Sequence, residues 1–170
     1  MTKARAAVLA GFLAISVNSV VLKAAELLGF MVESGGLLRL HVRYLSPLFQ
    51  SLGFSRWWAS VGLPPPSSLP FWLAFHYVTG FVMVVLYATL FERVLPGRGL
   101  IKGSLFSLLP WSVNGLIVLP LLGQGVLGYQ RLPISGMAYF FVANWSFGAV
   151  LGVFYEKFRS DSGRHGAQPA

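Results

Sequence analysis

The sequence predicts an all-α membrane protein with four transmembrane helices. Of its 170 residues, 55% are hydrophobic and only 11% are charged, whereas soluble domains carry about 25% charged residues. A soluble chain of this size has too little interior to hide so much apolar surface, so lipid must solvate part of it. The clearest stretch extends from Phe71 to Phe91 without any Asp, Glu, Lys or Arg. This length allows a helix to cross a hydrocarbon core of about 30 Å.

The formal net charge is +8 and there is no cysteine. In a soluble protein such a charge would suggest nucleic acid, but basic residues in the loops and ends of a membrane protein set its orientation and meet anionic lipid. We therefore expect the lipid bilayer as a partner and no nucleic acid. Without cysteine there are no disulfides, thiolate metal sites or cysteine nucleophiles.

The N-terminal segment has two interpretations. Lys3 and Arg5 precede an apolar stretch, which is also the pattern of a cleaved signal peptide. Apolar character resumes after Lys23 and Glu26, however, which favours a retained first helix over about residues 6–28. Lys23 and Glu26 are three residues apart and are expected to pair on one helix face.

An insert over residues 33–69 separates the first two helices and is expected at the outer interface. Residues 38–44 alternate apolar and polar side chains, which suits a short extended piece, although an amphipathic helix is an alternative. Ser46-Pro47 is typical of a helix N-cap followed by proline at the first helical position. The interfacial anchor is predicted at Arg56, Trp57 and Trp58. Ser68 is expected to cap the second helix.

The remaining helices follow from the same uncharged stretches. The second helix is predicted over residues 69–95, the third over residues 103–122 and the fourth over residues 133–158. Pro110 is expected to kink the third helix. Residues 1–159 would form one transmembrane domain, and residues 160–170 a disordered tail.

Orientation is predicted from the basic residues at the two ends of the helices. Eight lie on the side of the N-terminus and five on the other: Lys3, Arg5, Arg93, Arg98, Lys102, Lys157, Arg159 and Arg164 against Lys23, Arg39, Arg43, Arg56 and Arg131. The bias favours a cytoplasmic (inner) membrane protein with both termini in the cytoplasm.

Matching motifs suggest a duplicated helical hairpin. The first and third helices share Ser-Val-Asn, at 16–18 and 112–114, and His76-Tyr77-x-x-Gly80 in the second aligns with Asn144-Trp145-x-x-Gly148 in the fourth. Small residues on these faces allow backbones to approach closely. The helix-packing residues predicted on this basis are Gly11, Gly80, Gly103, Gly148 and Gly152.

Four polar residues lie within the predicted spans: Asn18, His76, Asn114 and Asn144. Because polar groups in hydrocarbon need partners or water, they are expected to point into the bundle. This polar layer could serve as hydrogen-bonding glue, as a cofactor or substrate site, or as a proton or ion path. A haem held by two histidines is disfavoured because the position aligned with His76 is Asn144. No cofactor and no metal site are therefore expected.

No catalytic residues are expected either. The five acidic residues all lie at the ends of the spans or outside them, and no nucleophile elbow or phosphate loop is present. The sequence is therefore not expected to encode an enzyme.

Several motifs resemble those of a known group of proteins. These are Trp72-Leu-Ala-x-His76-x-x-x-Gly80, Leu95-Pro-Gly97, Lys102-Gly103-x-Leu-Phe106, Leu119-Pro120-Leu-x-Gly123 and Gly148-Ala-Val-Leu-Gly152-x-x-Tyr155. They are similar to small four-helix bacterial inner-membrane proteins of unknown function (YagU-type proteins). The resemblance covers most of residues 6–158 except the insert, and it implies an inner-membrane location with no established activity.

These observations favour a structural or accessory subunit of a membrane complex, with other membrane subunits or a second copy of the chain as partners. One alternative is a small transporter or channel that uses the intramembrane Asn/His layer. Another is a cofactor-binding membrane protein centred on His76.

Overall fold

A computed structural model describes residues 2–164 of the chain, and it confirms the predicted fold class. The described residues form six helices and no strand. Four of the helices are long and apolar enough to cross a membrane. The helices are α1 (Lys3–Leu27), α2 (Gly36–Ser51), α3 (Phe54–Ser60), α4 (Leu69–Val94), α5 (Gly99–Leu121) and α6 (Ile134–Arg164).

Helix starts and local pairs agree with several sequence predictions. Ser68 caps α4, with its hydroxyl accepting a hydrogen bond from the Phe71 N–H at 3.4 Å. Lys23 and Glu26 pair at 3.0 Å. Helix α6 continues to Arg164, so that the first part of the predicted tail is helical, and the prediction for residues 165–170 lies outside the described residues.

The insert is helical, so the extended interpretation of residues 38–44 is wrong and the amphipathic-helix alternative is confirmed. Pro47 lies inside α2 rather than at the start of a helix, because the helix has already begun at Gly36. The Ser46-Pro47 prediction is therefore also wrong. A proline inside a helix costs about 3 kcal/mol, and tertiary contacts of α2 offset this: Arg43 and Tyr44 donate to the Leu122 and Leu121 carbonyls at 3.1 and 3.2 Å.

Helix α6 is the centre of the bundle and packs against both α1 and α5, while α4 packs against α1. The α5–α6 contact is close because it is made of glycines. A Cβ atom at Gly103 would overlap the Gly148 carbonyl, and a Cβ atom at Gly152 would overlap the Gly99 carbonyl. At the α1–α4 contact, a Cβ atom at Gly11 would lie 2.7 Å from Val84 and one at Gly80 would lie 2.7 Å from Ile15. All five predicted packing glycines thus lie at helix contacts.

Two spans change their hydrogen-bonding pattern along their length. A π-helical turn covers Tyr87–Phe91 in α4, and another covers Asn114–Val118 in α5, four residues after Pro110. Such turns occur mostly as short interruptions of α-helices, often at functional sites. Both begin at residues that line cavities.

Candidate ligand-binding cavity

A cavity of about 150 Å³ lies between the four spans and the start of the insert. Asn18 of α1, His76 of α4, Asn114 of α5 and Asn144 of α6 all line it. The predicted polar layer is therefore brought together around one space, with apolar walls that include Ile15, Met83 and Phe147.

Each of the three asparagine amides uses one of its two N–H donors inside the protein. Asn18 Nδ2 donates to the Ala143 carbonyl at 2.7 Å, which joins α1 to α6. Asn114 and Asn144 donate to the Pro110 and Phe140 carbonyls of their own helices at 2.9 and 2.8 Å. A backbone carbonyl can only accept, so these bonds determine which amide atom is Nδ2. The three Oδ1 atoms have no hydrogen-bond partner among the described residues.

His76 is held by stacking rather than by hydrogen bonds. Its ring lies on Trp72 with centroids 5.1 Å apart and planes 6° apart, and the Lys23 ammonium lies 5.7 Å from the Trp72 ring. Neither ring nitrogen of His76 has a hydrogen-bond partner in the part of the chain that is described. Among residues 2–164 no second histidine lines the cavity, so two-histidine haem ligation has no second ligand here.

The insert closes the cavity on one side through residues 33–38. Glu33 lines the cavity and forms an ion pair with Arg39. Burial, and repulsion from Arg131, lower the pKa of Arg39 below its ordinary value. Gly35 has a φ of +69° and approaches Trp72 so closely that a Cβ atom there would lie 2.8 Å from the indole Nε1.

Sequence reasoning missed this insert wall, including Glu33, and it also missed Thr79 of α4. The Thr79 hydroxyl donates to the Phe75 carbonyl at 2.9 Å, so its donor is also used internally. The sequence feature that could have identified Glu33 is that it is the one acidic residue of the insert.

The predicted anchor residues lie in α3, away from the cavity. Arg56 and Trp57 are exposed. Trp58 is half-buried and donates from Nε1 to the Pro64 carbonyl at 2.9 Å, with its ring 5.7 Å from Phe71. Trp58 therefore attaches the insert to the start of α4.

A cluster of charged residues occupies the other end of the bundle. Glu92 of α4 lies 3.1 Å from Arg159 of α6 and 3.5 Å from Lys102 of α5. Glu156 accepts the Gly99 N–H at 2.7 Å at the start of α5. Sequence analysis placed these residues at helix ends without bringing them together.

Comparisons with protein-family models, curated proteins and solved structures find no match for this chain. The fold and the cavity therefore define a class only, an α-helical membrane protein with four candidate spans and a cavity between them that polar and apolar side chains line.

Proposed function

We propose that this protein binds a small hydrogen-bond-donating solute or monovalent cation in the cavity and passes it across the membrane. The supporting observation is that one polar residue from each of four spans lines a single space. Residues serving only as glue would bond between helices, whereas Asn114 and Asn144 bond within their own. This favours the transporter or channel interpretation over an accessory subunit.

The chemistry of the lining supports the ligand class. Three amide oxygens and an imidazole have no hydrogen-bond partner among the described residues, while each amide already uses one of its two N–H donors. Unsatisfied polar groups at membrane depth are costly, so water or a ligand must satisfy them. Carbonyl-type oxygens suit hard cations and N–H donors, and a cavity of about 150 Å³ limits the ligand to a few heavy atoms.

The test is flux into proteoliposomes with potassium, methylammonium and urea as separate probes. We expect at least one probe to enter faster than into empty liposomes, and His76→Ala and Asn114→Leu each to reduce that flux about tenfold, because each removes an acceptor from the site. His41→Ala is the matched control, since His41 is exposed and does not line the cavity. Flux that both cavity variants leave unchanged, or no flux with any probe, would contradict the proposal.

A second candidate is the accessory-subunit role, which the insert favours. Helices α2 and α3 present apolar side chains outward, including Leu48 at 51% and Trp57 at 53% exposed. These could lie in the membrane interface or meet another subunit or a second copy. Mass measurement in native lipid discs tests this, and a lone monomer would count against it.

The cellular location is likewise proposed. The bias of basic residues supports the cytoplasmic membrane with cytoplasmic termini. The motifs that resemble those of small four-helix bacterial inner-membrane proteins support the same membrane.

A further inference from the structure

The charged end of the bundle contains a second cavity, of about 320 Å³. It lies where α4 ends and α5 begins, at the end of the apolar spans and far along α4 from the insert. Charged and hydroxyl-bearing side chains line it: Tyr87, Glu92, Lys102, Tyr155, Glu156 and Arg159.

The two carboxylates in this lining already have partners. Glu156 accepts the Gly99 N–H, and Glu92 lies between Arg159 and Lys102. The negative charge of Glu92 is therefore compensated by two cations. Glu156 has no cation as partner among the described residues, and its carboxylate is held by the N–H at the start of α5, where the helix dipole favours an anion.

Several hydrogen-bond donors in the lining of this cavity have no acceptor in the part of the protein that the structure describes. Tyr155 is 1% exposed and lies against Arg159, whose guanidinium can only donate, so the Tyr155 O–H has no acceptor among the described residues. Tyr87 is also 1% exposed, and no partner for its hydroxyl exists in the described chain. Arg159 uses Nη1 on Glu92 and has further N–H groups, since a guanidinium carries five. Arg93, Arg98 and Lys157 add positive charge at the same helix ends.

We propose that this cavity binds a phosphate group, supplied by the headgroup of an anionic lipid. Phosphate oxygens would accept from Tyr155, Tyr87 and Arg159, which satisfies donors that the protein leaves unpaired. The position at the ends of the apolar spans places the cavity at headgroup depth, where lipid phosphates are concentrated. The basic residues around it favour an anionic lipid over a zwitterionic one. This proposal is independent of the transport function.

The experiment measures lipid retention by native mass spectrometry after exchange into micelles containing phosphatidylglycerol or phosphatidylcholine. We expect phosphatidylglycerol to bind preferentially and Tyr155→Phe to weaken it about tenfold, because this variant removes one hydrogen bond to a charged group and keeps the ring. Arg159→Gln is expected to weaken it at least as much. Matched controls are Tyr129→Phe and Arg56→Gln, which change exposed residues outside the cavity lining and away from this end of the bundle.

A parallel titration with inorganic phosphate, read as a thermal shift, separates the two sources of phosphate. A shift that saturates and is lost in Tyr155→Phe, without preference for phosphatidylglycerol, would assign the site to a free phosphate compound and overturn the lipid source. The site itself would be overturned if both lipids were retained equally and no such shift occurred. It would also be overturned if Tyr155→Phe and Arg159→Gln bound lipid as well as their controls.

Discussion

Individual residues that look alike in the sequence, such as the three intramembrane asparagines, form different hydrogen bonds in the structure. Asn18 is buried and joins α1 to α6 through the Ala143 carbonyl, whereas Asn144 is half-buried and bonds within α6. Both positions could be predicted as intramembrane polar residues. Which carbonyl each amide meets could not, because that depends on the rotation of each helix against its neighbours.

Asn18→Ala is expected to lower the free energy of unfolding by about 1 kcal/mol, because it removes a buried interhelical hydrogen bond. Asn144→Ala is the control, and its effect should be smaller since only a bond within one helix is lost. The measurement is reversible unfolding in mixed micelles. Equal losses in both variants would show that the α1–α6 bond does not stabilise the bundle.

At the scale of elements, the contact between α5 and α6 depends on glycines spaced four apart. Gly148 and Gly152 of α6 meet Gly103 and Gly99 of α5, so that the two backbones touch. The first three were predicted to pack. Gly99 was missed, although the Gly99-x-x-x-Gly103 spacing carries the same signal.

Gly148→Ala is expected to destabilise the protein by about 2 kcal/mol, because the added methyl group overlaps the Gly103 carbonyl and forces the helices apart. Gly36→Ala is the matched control, since its Cβ atom would make an ordinary contact 3.4 Å from Val118. Thermal unfolding in detergent compares the two. If Gly148→Ala left the thermal stability unchanged, α5 and α6 would be able to move apart without loss of stability.

The insert shows how a pattern can favour the wrong element. Residues 38–44 alternate with period two, but Leu38, Val42 and Leu45 also recur at helical spacing. Over so few residues, the local pattern is compatible with both an extended segment and a helix. The helix is held by hydrogen bonds from Arg43 and Tyr44 to the end of α5. These contacts join residues that are far apart in the sequence, so the local pattern cannot specify them.

For the whole molecule, we expect all four candidate spans to cross the membrane, which would leave the two ends of the described chain on the same side. The insert and the loop between α5 and α6 then share the other side. The eight-to-five distribution of basic residues predicts that the termini are cytoplasmic.

Single cysteines provide a test because the chain has none of its own. Ser55→Cys, at an exposed position in the insert, is expected to react with an impermeant thiol reagent added outside intact cells. Pro96→Cys, exposed between α4 and α5, should react only after permeabilisation. The reverse labelling would invert the proposed orientation, and labelling of both from outside would contradict the four-span topology.

The sequence by itself determined the membrane class, the four spans, the cap at Ser68 and the polar layer, because these depend on the hydropathy and chemistry of neighbouring residues along the chain. Only the tertiary structure decided that the layer encloses a cavity with unpaired acceptors, and that Glu92, Lys102 and Arg159 meet at the opposite end of the bundle. The physical reason is that such meetings depend on how far each helix is rotated and how closely it approaches its neighbours. Packing across the whole bundle sets both quantities.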